Sequence, residues 1–316
     1  MRRRRVLLAA GPAALALLAG VVPQPAGAAT AACIPGTQEP LCTVWTGHVD
    51  FVADADTLDV DVAGDGRRTP VRTRVTGIQA MEQRVYSRYA TRRRGDCHAL
   101  EATARVAALV RAAGGRVRVA AQNPASRSGS RARRSVAVRI GGRWRDVGAT
   151  LLAEGHVLWL PNPVEYAWNR SYRAAAQQAA LDGRRLWDAD GCRTGPDQDA
   201  GLEIDVNWDA DGRDDLNLNG EWFDVGNPSS RDVPIGGWWV RDSHLRRFTF
   251  PSGAVVPAGG RVRVHVGSGD AGGGRFYWGL DAPAFENADG GARSLGDGGY
   301  LFDPDGDLRA WTIYPR

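Results

Sequence analysis

The chain has 316 residues, 43% hydrophobic and 24% charged, which is more than one typical domain needs and enough for two hydrophobic cores. Its net charge of +4 is misleading. Four arginines lie in the first five residues, and without them the balance is zero, which rules out a uniformly basic chain. All 40 basic residues are arginine, a bias ascribed to codon usage rather than to function.

Arg2 to Arg5, the apolar run Val6 to Val22, and Pro23 to Ala28 have the order of a secretory signal peptide over residues 1–28, cut after Ala28. Gly11, Pro12 and Gly20 interrupt the run and leave it short for a membrane span of about 20 residues. The expectation is a secreted protein with no transmembrane segment after cleavage; the arginines also allow twin-arginine export.

Charge divides the rest. Residues 29–195 carry 25 Arg against 16 acidic residues, a balance of +9; residues 196–316 carry 11 against 20, a balance of −9. The first part suits a polyanion, and the second repels one and suits a cation. The four cysteines, Cys33, Cys42, Cys97 and Cys192, are an even set in an exported chain, so two disulfides are expected. Of three possible pairings, Cys33 with Cys42 closes a small loop around Pro35-Gly36 and leaves Cys97 for Cys192. The absence of a C-x-x-C spacing argues against zinc.

In chain order, residues 29–47 read as an N-terminal disulfide loop. Strands are predicted at Val49–Val52, Leu58–Val62, Val71–Ile78, Arg116–Ala121 and Ser135–Ile140. Helices are predicted at His98–Ala113, Ala149–Glu154 and Val164–Leu186. Five strands with such helices fit an OB-type barrel with helices (α+β) over residues 48–192. After a linker at 193–203, short strands at Trp222–Val225, Trp238–Val240, Phe248–Phe250, Val262–Val266, Phe276–Trp278, Tyr300–Phe302 and Ala310–Tyr314 predict an all-β, immunoglobulin-like sandwich over 204–316. The fold class is thus a β-rich, two-domain protein.

The chemistry concentrates at Asp54-Ala55-Asp56-Thr57 and Arg74 to Glu82. Acidic residues in a turn ordinarily serve only to form it. The ordered set, however, resembles the thermonuclease (staphylococcal nuclease-like) family: an Asp-x-Asp-Thr turn, then an arginine followed eight positions later by a glutamate. Leu151 to Val157 and Leu186-Trp187-Asp188 extend the likeness over residues 48–187. The resemblance implies a phosphodiesterase in which Asp56, aided by Asp54, holds a divalent cation, calcium by family habit. Arg74 and a second arginine hold the phosphate, and Glu82 orients or deprotonates water. The second arginine falls at Arg134, with Arg133 as the substitute one residue away. Gln79 stands where the family has another metal-binding carboxylate, so weaker cation binding, another metal or a slower enzyme is open. The family's base-stacking tyrosines have no clear counterparts, and Trp159, the nearest aromatic, reads as core.

Arg92-Arg93-Arg94 and the run from Arg127 through Arg131 and Arg133 to Arg134 suit a solvated face or contacts to phosphate; within the basic half, DNA or RNA backbone contact is expected. Asn219 to Trp222, Gly236 to Asp242 and Phe248 to Gly253 resemble a lamin tail domain. The acidic prefix Asp209 to Asn217 lacks EF-hand spacing and reads as a polar loop. The expectation is a monomeric, secreted, low-specificity endonuclease with an accessory sandwich; a non-catalytic nucleic-acid-binding protein and a cell-surface adhesion protein are the alternatives. A chain ending near Gly195 keeps every expected catalytic residue and both expected disulfides, and should fold and act by itself; without the acidic half it should bind a polyanion at least as tightly at low salt.

Overall fold

A computed structural model describes residues 27–192, 201–288 and 296–315. The predicted leader lies outside them apart from Gly27 and Ala28, as do residues 193–200 of the predicted linker. Among the described residues no helix is long and apolar enough to cross a membrane.

The first half is built on β1 (Leu41–Asp54), β2 (Thr57–Val62), β3 (Val71–Val75), β4 (Arg116–Ala121) and β5 (Arg131–Ile140). β1 pairs with β2, β2 with β3, β3 in parallel with β5, β5 with β4, and β4 with β1. Val44, Val49, Leu58, Val60, Val75, Val117, Val119, Val136 and Val138 pack inside, as the alternation in these strands requires. β1 begins eight residues before the predicted strand: Leu41–Val44 already pairs with Ala29–Ala32, and Thr43–His48 with β4. The segment 29–47 is therefore a hairpin continuous with the sheet, not a separate loop.

Helices α1 (Ala99–Ala112), α2 (Val147–Ala153) and α3 (Asn169–Leu181) pack against the strands. The Asp146 carboxylate caps α2 by accepting from the Ala149 amide at 2.9 Å. α3 is shorter than predicted at both ends. Asn162 Oδ1 accepts the amides of Val164 and Glu165 and holds a turn there, and Gly183, with φ +60°, ends the helix.

The second half carries two four-stranded sheets. One runs β6 (Glu203–Asn207), β7 (Trp222–Gly226), β10 (Arg261–His265), β11 (Arg275–Tyr277). The other runs β9 (Arg247–Thr249), β8 (Trp239–Arg241), β12 (Gly298–Phe302), β13 (Leu308–Ile313). Between them lie Phe223, Val225, Trp238, Val240, Phe250, Val262, Val264 and Leu301. The other face of the second sheet has a different destination. Trp239, Tyr300, Phe302, Leu308 and Ile313 belong to the core of the first half. The Trp187 ring lies 5.4 Å from Trp311 and 6.0 Å from Tyr300, and Gln177 Nε2 donates to the carbonyls of Ile313 and Pro315. The two halves thus share an apolar interface that the opposite charge balances did not reveal.

Both expected disulfides are present, Cys33–Cys42 and Cys97–Cys192, with Cα separations of 4.8 and 5.8 Å. The Cys192 amide donates to Asp307 Oδ1 at 2.7 Å, so the second bridge sits against the sandwich.

Candidate active site

The turn from β1 into β2 places Asp54, Asp56 and Thr57, all buried, beside the start of β2, whose Thr57 lies opposite Arg74 of β3. After β3 the chain turns at Gly77 (φ +75°), where a Cβ would meet the Tyr172 ring at 2.6 Å. Only glycine fits this closely packed, left-handed position. The turn delivers Ile78–Gln79 to a short pairing with Leu158–Trp159, and so presents Gln79, Ala80 and Glu82 to Asp56.

A continuous polar chain results. Arg131 Nη1 donates to Thr57 Oγ1 at 3.0 Å, and Thr57 Oγ1 donates to Asp56 Oδ1 at 2.9 Å. Arg74 Nη1 lies 2.6 Å from Asp56 Oδ1, and the Ala80 amide donates to Asp56 Oδ2 at 3.0 Å. Arg74 Nη2 donates to Gln79 Oε1 at 2.6 Å, and Gln79 Nε2 donates to Glu82 Oε1 at 3.1 Å. Gln79 therefore links the arginine to the glutamate.

Burial, followed by the charge of Asp56, pushes the Asp54 carboxyl up to about 7. The same two causes in the same order raise Glu82, while Arg74, Arg241 and Arg131 pull it back. Arg241 comes from the sandwich and is 3% exposed, so the second half contributes a buried cation to the field at Glu82. Tyr86, whose hydroxyl donates to Asp54 Oδ2 at 3.4 Å, is pushed up to about 12, first by burial and then by Asp54.

The second arginine is resolved geometrically. Arg133 stands opposite Arg74 on the parallel ladder of β3 and β5. Its pKa is lowered, first by burial and then by the Arg74 charge. Arg134 points to the other side of the strand: it donates to the Pro124 carbonyl and lies 4.7 Å over the Trp45 ring. With Arg127, Thr73 and Ala132 it lines a separate cavity of about 270 Å³. Side-chain alternation along β5 makes this inevitable, because neighbours in a strand face opposite ways. Arg134 is thus turned away from Arg74, and of the two arginines Arg133 is the one that stands beside it.

Of the predicted polynucleotide contacts, Arg131 and Arg133 border the site. Arg127 is exposed and donates to the Ser130 carbonyl. In the other run, Arg93 donates to Val52 O and Ser87 O, each at 2.7 Å, which fastens the loop after Glu82 to β1. Trp159 is fully buried, as its reading as core requires. The sequence reading missed Tyr86 and Tyr89, which are 49% and 65% exposed on that loop. Tyr86, four residues beyond Glu82, was the available signal.

The oxygen-only donors Asp54 and Asp56 suit a hard cation. Burial first, and the neighbouring carboxylate charge second, raise Asp54 and Glu82, and a dication would offset both. Asp54, Asp56 and Glu82 are not among the groups of described residues whose ligand atoms all approach within 4.8 Å. In the acidic prefix of the sandwich, Asp214 accepts from the Ala210 amide and from Asn287 Nδ2, and Asp215 pairs with Arg213. These are internal loop contacts, as expected.

The packed pair of sheets in the second half defines an immunoglobulin-like β-sandwich. Residues 200–316 match the family model of the Lamin Tail Domain. No thermonuclease model matches the N-terminal part, and a comparison with curated proteins finds no match to the chain.

Proposed function

We propose that the first half is a phosphodiesterase of thermonuclease type, working as a secreted, metal-dependent endonuclease on DNA or RNA with low sequence specificity, and that the lamin-tail sandwich is its accessory module. The strand order β1-β2-β3-β5-β4, with β4 returning to β1, supports an OB-type reading of this half. The two disulfides are compatible with an extracellular protein.

The observation that carries the reading is the chain Asp56, Arg74, Gln79, Glu82 with Arg133 beside it. Attack of water on a phosphodiester builds charge on the nonbridging oxygens, and two guanidinium forks on adjacent strands are suited to hold it. Glu82, at the edge of the site with its protonation raised, is suited to orient water and accept its proton. Asp56 and Asp54 would hold the cation, calcium by the donor chemistry, which adds positive charge for the phosphate. The Ala80 amide, the Thr57 hydroxyl and low exposure keep the Asp56 carboxylate fixed.

Gln79 favours one rival. It is neutral and its oxygen is already bonded to Arg74, so a polynucleotide-binding site without turnover is the second reading. A zymogram of the purified chain on DNA and RNA gels, with calcium and with chelator, separates them. The enzyme reading expects chelator-sensitive clearing that Glu82→Gln reduces by about a hundredfold or more. Binding without clearing by the wild type in any divalent cation would overturn it.

A further inference from the structure

We infer that Asp242, His244 and Asp297 of the sandwich form a binding site for a zinc ion. These residues form no motif in the sequence, since Asp297 is distant in the chain from Asp242 and His244. The fold brings them together. Asp242 and His244 lie in the loop joining β8 to β9, and Asp297 immediately precedes β12, the neighbour of β8. Each offers one donor, His244 a ring nitrogen and the aspartates one carboxylate oxygen each, and the three atoms all lie within 4.8 Å of one another.

Counting lone pairs identifies what is left to bind. Asp242 Oδ1 accepts the amides of His244 at 2.8 Å and Arg246 at 3.2 Å, and its Oδ2 accepts from Arg246 Nε at 2.6 Å. A carboxylate has about four acceptor positions, so one remains on Oδ2. Asp297 is fully buried; its Oδ1 takes the Gly298 amide at 2.7 Å and the Ser243 amide at 3.3 Å, while its Oδ2 is buried without a hydrogen-bond partner. His244 Nδ1 is likewise buried without one, and stands 3.7 Å from that oxygen. Buried polar atoms are rarely left unmatched, and a buried orphan oxygen facing an orphan imidazole nitrogen points to a ligand between them.

The separation discriminates between explanations. A direct imidazole to carboxylate hydrogen bond brings the two atoms to about 2.7–3.2 Å. Two ligands each about 2.0–2.2 Å from one tetrahedral zinc are wider apart than that, which matches the observed spacing better. An imidazole with two carboxylates suits zinc over calcium, which takes oxygen ligands only. The supporting shell is present: amides fix Oδ1 of both aspartates, as outer partners fix metal-binding carboxylates elsewhere. The His244 side chain is 32% exposed and gives the ion a route from solvent. The ion would clip the β8–β9 loop to the start of β12.

The test is zinc titration of the full chain, stripped of metal, by calorimetry, with cobalt(II) absorption as a second readout of an imidazole-containing tetrahedral site. Asp56→Asn, in the other half, serves as the background that removes the first cation site. In that background one zinc should bind, cobalt should give visible bands, and calcium should not compete. His244→Ala and Asp297→Asn should each weaken zinc by at least about tenfold. Since Asp297→Asn could disturb folding, the partly exposed His244→Ala decides. Equal zinc affinity and an equal cobalt spectrum with and without His244, or no zinc binding by the folded Asp56→Asn chain, would overturn the proposal and leave a simple His244–Asp297 ion pair.

Discussion

Arg133 faces Arg74 across a parallel pair of strands, and the Arg74 charge disfavours that of Arg133, while Arg74 itself is paired with the Asp56 carboxylate. Two like charges held together cost energy unless an anion joins them, and on the proposed function that anion would be a phosphodiester. Replacing Arg133 with Ala is therefore expected to cut kcat by about a hundredfold, the usual scale for one lost transition-state donor. Arg134→Ala should leave kcat intact and instead lower stability by about 1 kcal/mol through its lost bond to Pro124. Steady-state kinetics and urea melts of both variants check the pair. A kcat loss with Arg134→Ala alone would reverse the assignment.

Gln79 offers a second test. Gln79→Asp places a negative ligand between Arg74 and Glu82, and added negative charge attracts a dication. The calcium concentration for half-maximal activity should fall. Because Gln79 Nε2 also donates to Glu82, the same change removes that bond and is expected to alter the pH profile on its acid side. A calcium midpoint that stays put or rises would place Gln79 outside the cation's reach.

The strands were largely legible because they announce themselves by alternation: Leu58, Val60 and Val62 with Asp59 and Asp61 became β2, and Trp222 to Val225 became β7. The Asp56, Arg74 and Glu82 constellation was legible as an ordered spacing. What periodicity cannot give is the facing of side chains at an uncertain register. A single residue separates Arg133 from Arg134, and that residue moves the guanidinium to the opposite side of β5. Nor does local pattern disclose a second use for an apolar strand face. Tyr300 and Phe302 read as sandwich core, but they pack on Trp187 and its neighbours, which only the assembled molecule reveals.

Glu221 supplies a pH dependence of stability. It is fully buried; Oε2 accepts the Ala284 amide at 2.7 Å, and Oε1 has no hydrogen-bond partner. Burial pushes its carboxyl from an ordinary 4.5 up to about 7. The folded chain thus keeps a proton up to about 7 that the unfolded chain gives up above 4.5. The stabilisation is complete below 4.5 and is lost as pH rises through 7. The upper scale is about 3 kcal/mol for a shift of this size. Urea midpoints measured from pH 4.5 to 8 should fall with pH more steeply for wild type than for Glu221→Gln. Parallel curves would show that Glu221 is ionised in the fold.

The final prediction concerns the division between the halves. The retained site residues and disulfides say that a chain ending near Gly195 should be independent, and charge says that without the acidic sandwich it should bind a polyanion at least as well at low salt. Packing says otherwise about stability. Trp187, 5% exposed, rests on Tyr300 and Trp311, and Gln177 and Cys192 bond to the sandwich. Exposing one large apolar side chain costs about 1.5–3 kcal/mol, and each kcal/mol lowers Tm by about 2–4 °C in a domain of this size. The truncated chain should retain both disulfides and the candidate site apart from the Arg241 charge near Glu82, but melt about 5–10 °C lower and tend to associate through the uncovered surface. Its affinity for an oligonucleotide, measured below that transition, should equal or exceed the full chain's at low salt, with the difference shrinking as salt rises. Calorimetric melting of the two chains separates the packing effect from the charge effect. A truncated chain that melts with the full chain and stays monomeric would mean that the shared apolar interface contributes nothing to the first half, and that the two units are independent in stability as well as in charge.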